Sequence, residues 1–349
     1  MHLPVAVSLY LIVPFLCLWG TSFRRDEVNG LSQDITLSIR GVGMLLIVFV
    51  HVIQDYINLQ TYFIYVSGVL GVAACFLVSG YGLHKSFLRK ALYLKGFLQT
   101  KALRMLLPYG VLHIVYLVFS LFADDTPTLS VIAGELLTLQ MDGILLWYLK
   151  VQLLCYVIFY LCYRFIPGKT ARMTAVFGGV ILWMILAMAL DFGVSRYNTC
   201  LFFPIGLLLA EYEEPVLGLL KKPGAILFNA GATVMLFAVI YLFGRFGLDL
   251  MYDWIYMLVF NAALIGMLLH IRGSKLLNAF GKYSMEIYLL HLLLLKEAPL
   301  SLFRCDDGVS YILIAALSLV TAIPLYYLCN RLMKPIRKHY ACVQKGNAL

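Results

Sequence analysis

The chain has 349 residues, of which 62% are hydrophobic and only 13% are charged. With a mean hydropathy of +0.89, this composition excludes a soluble globular domain, whose apolar share lies nearer one half. The net charge of +9 is explained by the predicted membrane topology, so no nucleic-acid partner is expected.

Long, continuous apolar runs dominate the sequence. A bilayer requires every backbone polar group to be paired within its own element, and continuous runs predict helices, whereas short alternating runs would predict a barrel. Runs of roughly 17 to 25 residues can cross a membrane, and about eleven such runs predict an all-α, polytopic transmembrane helix bundle. The predicted spans are 3–21, 37–56, 62–84, 102–122, 145–165, 172–191, 197–211, 223–243, 250–271, 283–301 and 309–331. The segment 128–140 is a loop, a re-entrant helix or a surface helix.

Basic residues predict the orientation, because lysine and arginine accumulate in short cytoplasmic loops. Most of the 27 lysines and arginines fall in alternate connections and in the C-terminal tail, including Arg24, Lys85 and Lys221. Acidic residues such as Asp124 and Asp307 fall on the opposite side. The N-terminus is therefore predicted outside and the C-terminus inside, with a basic inner surface beside anionic lipid.

The sequence predicts a single membrane domain, because no long polar insertion or linker interrupts it. We assign 1–34 to an N-terminal transmembrane anchor with its cytoplasmic connection, 35–335 to the membrane domain, and 336–349 to a basic cytoplasmic tail. The eight cysteines have neither a C-x-x-C pair nor metal-ligand spacing, so we expect no disulfide and no metal site. Any chemistry must then occur within the helices or at their ends.

The second span carries the first candidate for catalysis. Ionisable side chains within a span are costly and usually face a cavity. His51 follows Arg40 by eleven residues, which places both on one helix face, about 16 Å apart along the axis. Asp55 follows at i+4, where a carboxylate could orient the imidazole of a general base. The alternatives are a structural histidine bonded to a neighbouring carbonyl, and a surface position for Asp55.

A basic pair opens the fourth span. Lys101 and Arg104 lie on one helix face at i, i+3, shortly before Pro108. At the predicted cytoplasmic end, this pair is suited to bind phosphates, the arginine through its bidentate fork and the lysine as a point charge. The alternative is the ordinary enrichment of basic residues on the cytoplasmic side.

Three further groups of residues are candidates for lining a cavity. Small residues in the segment 76–81 favour close helix packing, and Trp147 at a predicted outer end is typical of an aromatic belt. Ser284, Tyr288 and His291 lie on one face at i, i+4 and i+7, which indicates either a cavity lining or an interhelical hydrogen-bond network. The cavity-lining candidates are Ser79, Tyr81, Trp147, Ser284, Tyr288 and His291.

In their order and spacing, these elements resemble the acyltransferase 3 family of membrane-bound enzymes, which O-acetylate bacterial surface polysaccharides. The resemblance covers residues 35–335. It is carried by Arg40 with His51, Phe76–Tyr81, Lys101 with Arg104 and Pro108, Leu146–Leu149, and Gly281–His291. The span at 3–21 is additional to the ten-helix core of the family, and Lys101 stands where the family usually has arginine.

The resemblance implies an integral plasma-membrane O-acyltransferase with His51 as catalytic histidine. The expected donor is cytoplasmic acyl-CoA, with acetyl-CoA as the default, and its phosphates would bind to Arg40, Lys101 and Arg104. No tightly bound cofactor is expected. The acceptor would be a hydroxyl of a cell-surface or lipid-linked glycan, and membrane lipid is the other partner. The alternative is a transporter or flippase in which Arg40, His51 and the 284–291 face line a pathway; a structural anchor would leave those polar groups unexplained.

Overall fold

The computed structural model confirms the all-α prediction. It describes residues 3–24, 30–52, 62–122, 127–141, 144–243, 249–297 and 307–346, and the predicted orienting residue Asp55 lies outside them. Within these ranges the chain is helical apart from connections and four two-residue strands, which form the antiparallel pairs β1–β4 and β2–β3.

The helices follow the apolar runs of the sequence. Their bounds are α1 Leu3–Leu18, α2 Gln33–Val52, α3 Tyr62–Arg89, α4 Phe97–Phe122, α5 Leu129–Thr138, α6 Trp147–Phe165, α7 Lys169–Ala189, α8 Phe202–Glu211, α9 Glu213–Leu220, α10 Pro223–Phe243, α11 Asp249–His270, α12 Lys275–Lys282, α13 Ser284–Glu297 and α14 Asp307–Gly346. The strands are β1 Ser22–Phe23, β2 Gln140–Met141, β3 Ile144–Leu145 and β4 Ile271–Arg272, and Val194–Arg196 forms a short 3-10 helix.

Seven helices of the described chain have the length and hydropathy of membrane spans: α2, α3, α4, α6, α7, α11 and α14. The protein is therefore an integral membrane protein. The apolar helices α5, α8, α13 and the first part of α10 are shorter. The segment 128–140 contains the helix α5. The count of eleven spans, the orientation and the domain boundaries stay predictions.

The chain divides into two compact units, of which the first comprises Met1–Lys85 and Asn198–Val320. Helix α2 lies at the centre of this unit, in contact with α1, α11, α12 and α13. Its apolar side chains, such as Ile39 and Phe49, are fully buried. The buried Tyr311 of α14 donates a hydrogen bond to the Leu45 carbonyl at 3.2 Å, which fixes the start of α14 against α2.

Glycines permit close helix contacts within the first unit. A Cβ on Gly43 of α2 would lie 2.7 Å from the carbonyl oxygen of Gly71 in α3, and a Cβ on Gly80 of α3 would overlap the Phe203 carbonyl of α8. Helices approach this closely only where small residues face each other. The helix-packing interpretation of the segment 76–81 therefore holds at Gly80.

The second unit comprises Ser86–Tyr197 and Thr321–Leu349. Here α6 packs against α4 and α7, and the Phe97 ring stacks on Tyr160 with a centroid distance of 6.3 Å. The Tyr109 hydroxyl donates to the carbonyls of Glu135 and Gln140 at 3.1 and 2.6 Å. These bonds hold the C-terminal end of α5 and the residues that follow it against α4.

Candidate active site

The candidate site begins with two polar residues on the central helix of the first unit. Arg40 and His51 both lie on α2, which is continuous over Gln33–Val52, so their eleven-residue separation places them on one face. Both side chains are only partly buried, whereas most residues between them are buried. This face therefore carries two accessible polar groups in an apolar helix.

His51 lies beside a second histidine. The His51 Nδ1 atom is 2.8 Å from the Ile47 carbonyl oxygen one turn back and 3.3 Å from Nε2 of His291 on α13. The two rings meet edge to face, with centroids 5.0 Å apart. His291 is completely buried, and its own Nδ1 lies 2.9 Å from the Ile287 carbonyl oxygen. The site thus contains a histidine pair that neither sequence element indicates alone.

The other ring nitrogen of His51 has no hydrogen-bond partner among the described residues. A neutral imidazole can accept a proton at an unprotonated nitrogen. His51 is partly exposed, and an imidazole with one nitrogen held and the other without a hydrogen bond has the arrangement that a general base requires.

Arg40 forms no ion pair with any carboxylate of the described chain. A cation in an apolar helix is costly unless an anion or a water-filled cavity compensates it. A guanidinium can bind a phosphate through two parallel hydrogen bonds. Arg40 is therefore available to an anionic ligand.

The predicted residues Lys101, Arg104 and Trp147 belong to the second unit. Lys101 lies over the rings of Phe97 and Tyr156, with Nζ 5.9 and 5.7 Å from their centroids, and Arg104 is exposed. Trp147 is the first residue of α6 and is partly buried. Their roles as donor-binding and cavity-lining residues stay predictions.

The remaining cavity-lining candidates lie in the first unit. Tyr288 is buried on α13, with its ring centroid 6.0 Å from that of His291, and Ser284 begins the same helix and is partly buried. Ser79 and Tyr81 are buried on α3. The structure thus brings Tyr288 to the histidine pair and gives Tyr81 a different environment.

That environment is a buried carboxylate, Glu213, which the sequence analysis missed. Its oxygens accept hydrogen bonds from the Tyr81 hydroxyl, the Lys85 ammonium and, at 2.8 Å, the Leu31 N–H. Gly30 has φ +126°, and a Cβ at Gly30 would lie 2.8 Å from the carboxylate, so only glycine leaves it room. One feature of the sequence could have pointed to Glu213. It is an acidic residue next to a span end that is predicted to be cytoplasmic, and acidic residues are rare on that side of the predicted topology.

The pKa of Glu213 reflects two opposing causes. Burial favours the neutral carboxyl group, but the hydrogen bonds from Lys85, Tyr81 and Leu31, together with the Lys85 charge, lower the pKa below the ordinary glutamate value. Glu213 is therefore ionised at neutral pH, and three donors of the protein hold its two oxygens. We interpret it as a structural anchor for the 30–31 connection, α3 and α9.

Within the described ranges, no group of three or more histidine, cysteine, aspartate or glutamate side chains could hold a metal ion. A family model described as an acyltransferase domain, of the acyltransferase 3 type, matches residues 38–331. This range includes Arg40, His51 and His291. Neither the curated proteins nor the solved structures include a significant match.

Proposed function

Since this chain belongs to the acyltransferase 3 family and is an acyltransferase, we propose that it moves an acyl group, acetyl by default, from cytoplasmic acyl-CoA to a hydroxyl of a cell-surface or lipid-linked glycan. We place it in the plasma membrane. The observation that carries the proposal is His51, a partly exposed histidine of an apolar helix, with one ring nitrogen hydrogen-bonded and the other without a partner in the described chain.

In the proposed reaction, His51 is the general base. Its Nε2 atom removes the proton from the acceptor hydroxyl while the hydroxyl oxygen bonds to the thioester carbonyl carbon. The carbon–sulfur bond then breaks, and the proton passes from His51 to the departing thiolate, which gives the O-acylated acceptor and free CoA. An unperturbed imidazole is mostly neutral at pH 7, which suits both transfers.

The basic residues supply the donor site in this proposal. Arg40 has no ion-pair partner in the described chain, and we assign it to a phosphate of acyl-CoA. The part of Lys101 and Arg104 in donor binding stays a prediction from the sequence. The helical rise places Arg40 about 16 Å from His51 along the axis. An extended pantetheine arm can span such a distance, so the phosphates and the thioester would occupy the two ends of one face.

Family membership favours this enzyme over the transporter alternative, because the family is one of acyltransferases. Acyl transfer to a hydroxyl requires a proton acceptor, but histidine proton relays also occur in transporters. His51 is therefore compatible with both alternatives, and family membership is what favours the enzyme.

The proposal is tested with purified, reconstituted protein, labelled acetyl-CoA and a surface-glycan extract from the native source. Loss of a general base lowers the rate by about 10²- to 10⁴-fold, which is the effect expected of His51→Ala. His270→Ala is the matched control, because His270 is an exposed histidine of the same unit, and it should leave the rate unchanged.

The donor site is tested by Arg40→Lys, which keeps the charge and removes the bidentate fork. We expect the KM for acetyl-CoA to rise by about tenfold with little change in kcat, since a phosphate contact contributes to binding in both ground and transition states. Arg89→Lys, at an exposed position at the end of α3, is the control. Transfer by His51→Ala at the wild-type rate, or the absence of transfer from any acyl-CoA, would refute the proposed function.

A further inference from the structure

The protonation states of the histidine pair can be worked out from its contacts. His51 and His291 each direct Nδ1 at the carbonyl oxygen four residues earlier in its own helix, at 2.8 and 2.9 Å. A carbonyl oxygen only accepts, so each Nδ1 must carry a hydrogen. The alternative tautomer would place two lone pairs against each other at both positions.

The donor and acceptor in the contact between the two rings can then be assigned in only one way. His51 Nδ1–H is a donor, so the His291 Nε2 atom that faces it at 3.3 Å must be an unprotonated acceptor. A protonated His291 would direct two N–H groups at each other. His51 Nδ1–H is thus shared between the Ile47 carbonyl and His291, and the tautomer of His51 leaves Nε2 as the nitrogen without a proton.

The burial of His291 makes this arrangement rigid. His291 is 0% exposed, so water does not compete for its Nε2 lone pair. It lies on α13, which packs against α2, whereas Ile47 lies on the same helix as His51. The two acceptors therefore hold the imidazole from two different helices. Rotation of the ring by a half turn would remove Nδ1–H from both acceptors.

We propose that His291 is the positioning residue of the active site: it accepts from Nδ1–H of His51 and thereby keeps Nε2 directed at the substrate as the base. This inference rests on the proposed function of His51. When Nε2 takes the proton of the acceptor hydroxyl, the ring becomes positively charged, and the neutral His291 lone pair stabilises that charge through the same hydrogen bond. His291 itself neither gains nor loses a proton.

The proposal predicts different results for two substitutions. His291→Phe keeps the ring volume and removes the acceptor, and loss of an orienting partner of this kind lowers kcat by about 10- to 100-fold. The KM for acetyl-CoA should stay within about twofold, because Arg40 is unaffected. His291→Gln supplies an amide oxygen that can accept from Nδ1–H, and it should recover kcat to within about tenfold of the wild type.

A second readout is independent of activity. The chain has seven histidines, so nitrogen NMR of protein labelled at histidine resolves protonated from unprotonated ring nitrogens, and the His51 signals are assigned by their loss in His51→Ala. The wild type should show His51 protonated at Nδ1 and unprotonated at Nε2. His291→Phe should broaden these signals or populate the Nε2–H tautomer, and His291→Gln should restore them.

The two proposals fail in different ways. A wild-type His51 that carries its proton on Nε2, or a His291→Phe variant with unchanged tautomer and unchanged kcat, would overturn the positioning role. If the wild-type tautomer is as proposed and His291→Phe alters it, the positioning relation stands even if His51→Ala retains full transfer. In that case only the assignment of His51 as base is refuted.

Discussion

Glu213 allows a substitution to be evaluated contact by contact. One carboxylate oxygen, Oε1, accepts from the Tyr81 hydroxyl and the Leu31 N–H, and the other, Oε2, accepts from the Lys85 ammonium. Tyr81 is 5% exposed and Leu31 is 7% exposed, so neither donor can turn to bulk water. The Lys85 side chain is 23% exposed and is less dependent on the carboxylate.

Two substitutions at Glu213 separate the stability contribution of the ion pair with Lys85 from that of the other hydrogen bonds. In Glu213→Gln the amide oxygen can replace Oε1, but the NH₂ group then faces the Lys85 ammonium, so only the ion pair is lost, at a cost of about 1–3 kcal/mol. In Glu213→Leu the Leu31 N–H and the Lys85 ammonium lose the carboxylate, and of its bonds to the carboxylate and to the Leu31 carbonyl the Tyr81 hydroxyl keeps only the longer one to the carbonyl, at 3.4 Å. Breaking a buried charge pair with its hydrogen bonds costs about 3–5 kcal/mol. Lys85→Met combined with Glu213→Gln should cost less than the sum of the two single substitutions, because both remove the same ion pair.

The assay is equilibrium unfolding of the purified protein in mixed micelles at several pH values. Because the pKa of Glu213 is lowered in the folded state, its ionised form contributes stability that is fully present above the unfolded glutamate pKa of about 4.3. This contribution is lost as the pH falls through the lower, folded pKa. The stability difference between wild type and Glu213→Gln should therefore be largest at neutral pH and disappear in acid.

Glu214→Gln is the matched control, since Glu214 is the exposed neighbour of Glu213 in the same helix. A surface substitution of this kind should change the stability by less than about 0.5 kcal/mol. Equal effects of the two glutamine substitutions, or an effect of Glu213→Gln that does not depend on pH, would show that the carboxylate does not hold its three donors as argued.

Two further predictions concern helix packing. Gly80→Ala places a Cβ against the Phe203 carbonyl and should destabilise the protein by about 1–3 kcal/mol. In the control, Gly82→Ala, the added Cβ meets no atom within 4 Å, so the change should be neutral or stabilising by up to about 1 kcal/mol. A larger loss of stability for Gly82→Ala than for Gly80→Ala in thermal unfolding would contradict this prediction. Tyr109→Phe removes two hydrogen bonds to the α5 segment. Because this loss lowers the local stability by about 1 kcal/mol, amide hydrogen exchange in the segment should be about fivefold faster or more. Unchanged exchange would contradict this prediction.

Hydropathy predicted the long helices well, because an apolar run of about twenty residues has few alternatives in a bilayer. The predicted span 223–243 has the same bounds as α10. Hydropathy could not predict α12, Lys275–Lys282, which is short and amphipathic. It also ended the last span at 331, whereas α14 continues to Gly346, because the residues that follow are rich in basic side chains and a polar helix leaves no hydropathic signal.

The sequence predicted individual residues of the candidate site, but it did not predict which of them are in contact. Arg40 and His51 could be related from the sequence, because the helical repeat relates residues within one element. The contact between His51 and His291 spans 240 positions and depends on how α13 packs on α2, which no local pattern encodes. Glu213 was missed for the same reason, since its three donors come from a connection and another helix.

The two polar clusters of the first unit, around Glu213 and around His51, differ in how far their polar atoms are already hydrogen-bonded within the protein. Glu213 is ionised, and its oxygens accept from three donors of the protein, which occupy most of the acceptor capacity of a carboxylate. His51 is held only through Nδ1, and its Nε2 has no partner in the described chain. Fixing one nitrogen while leaving the other without a partner gives the proposed base a single orientation. The same reasoning explains a neutral histidine as the second acceptor: it orients the ring without adding a second charge to an apolar helix pair.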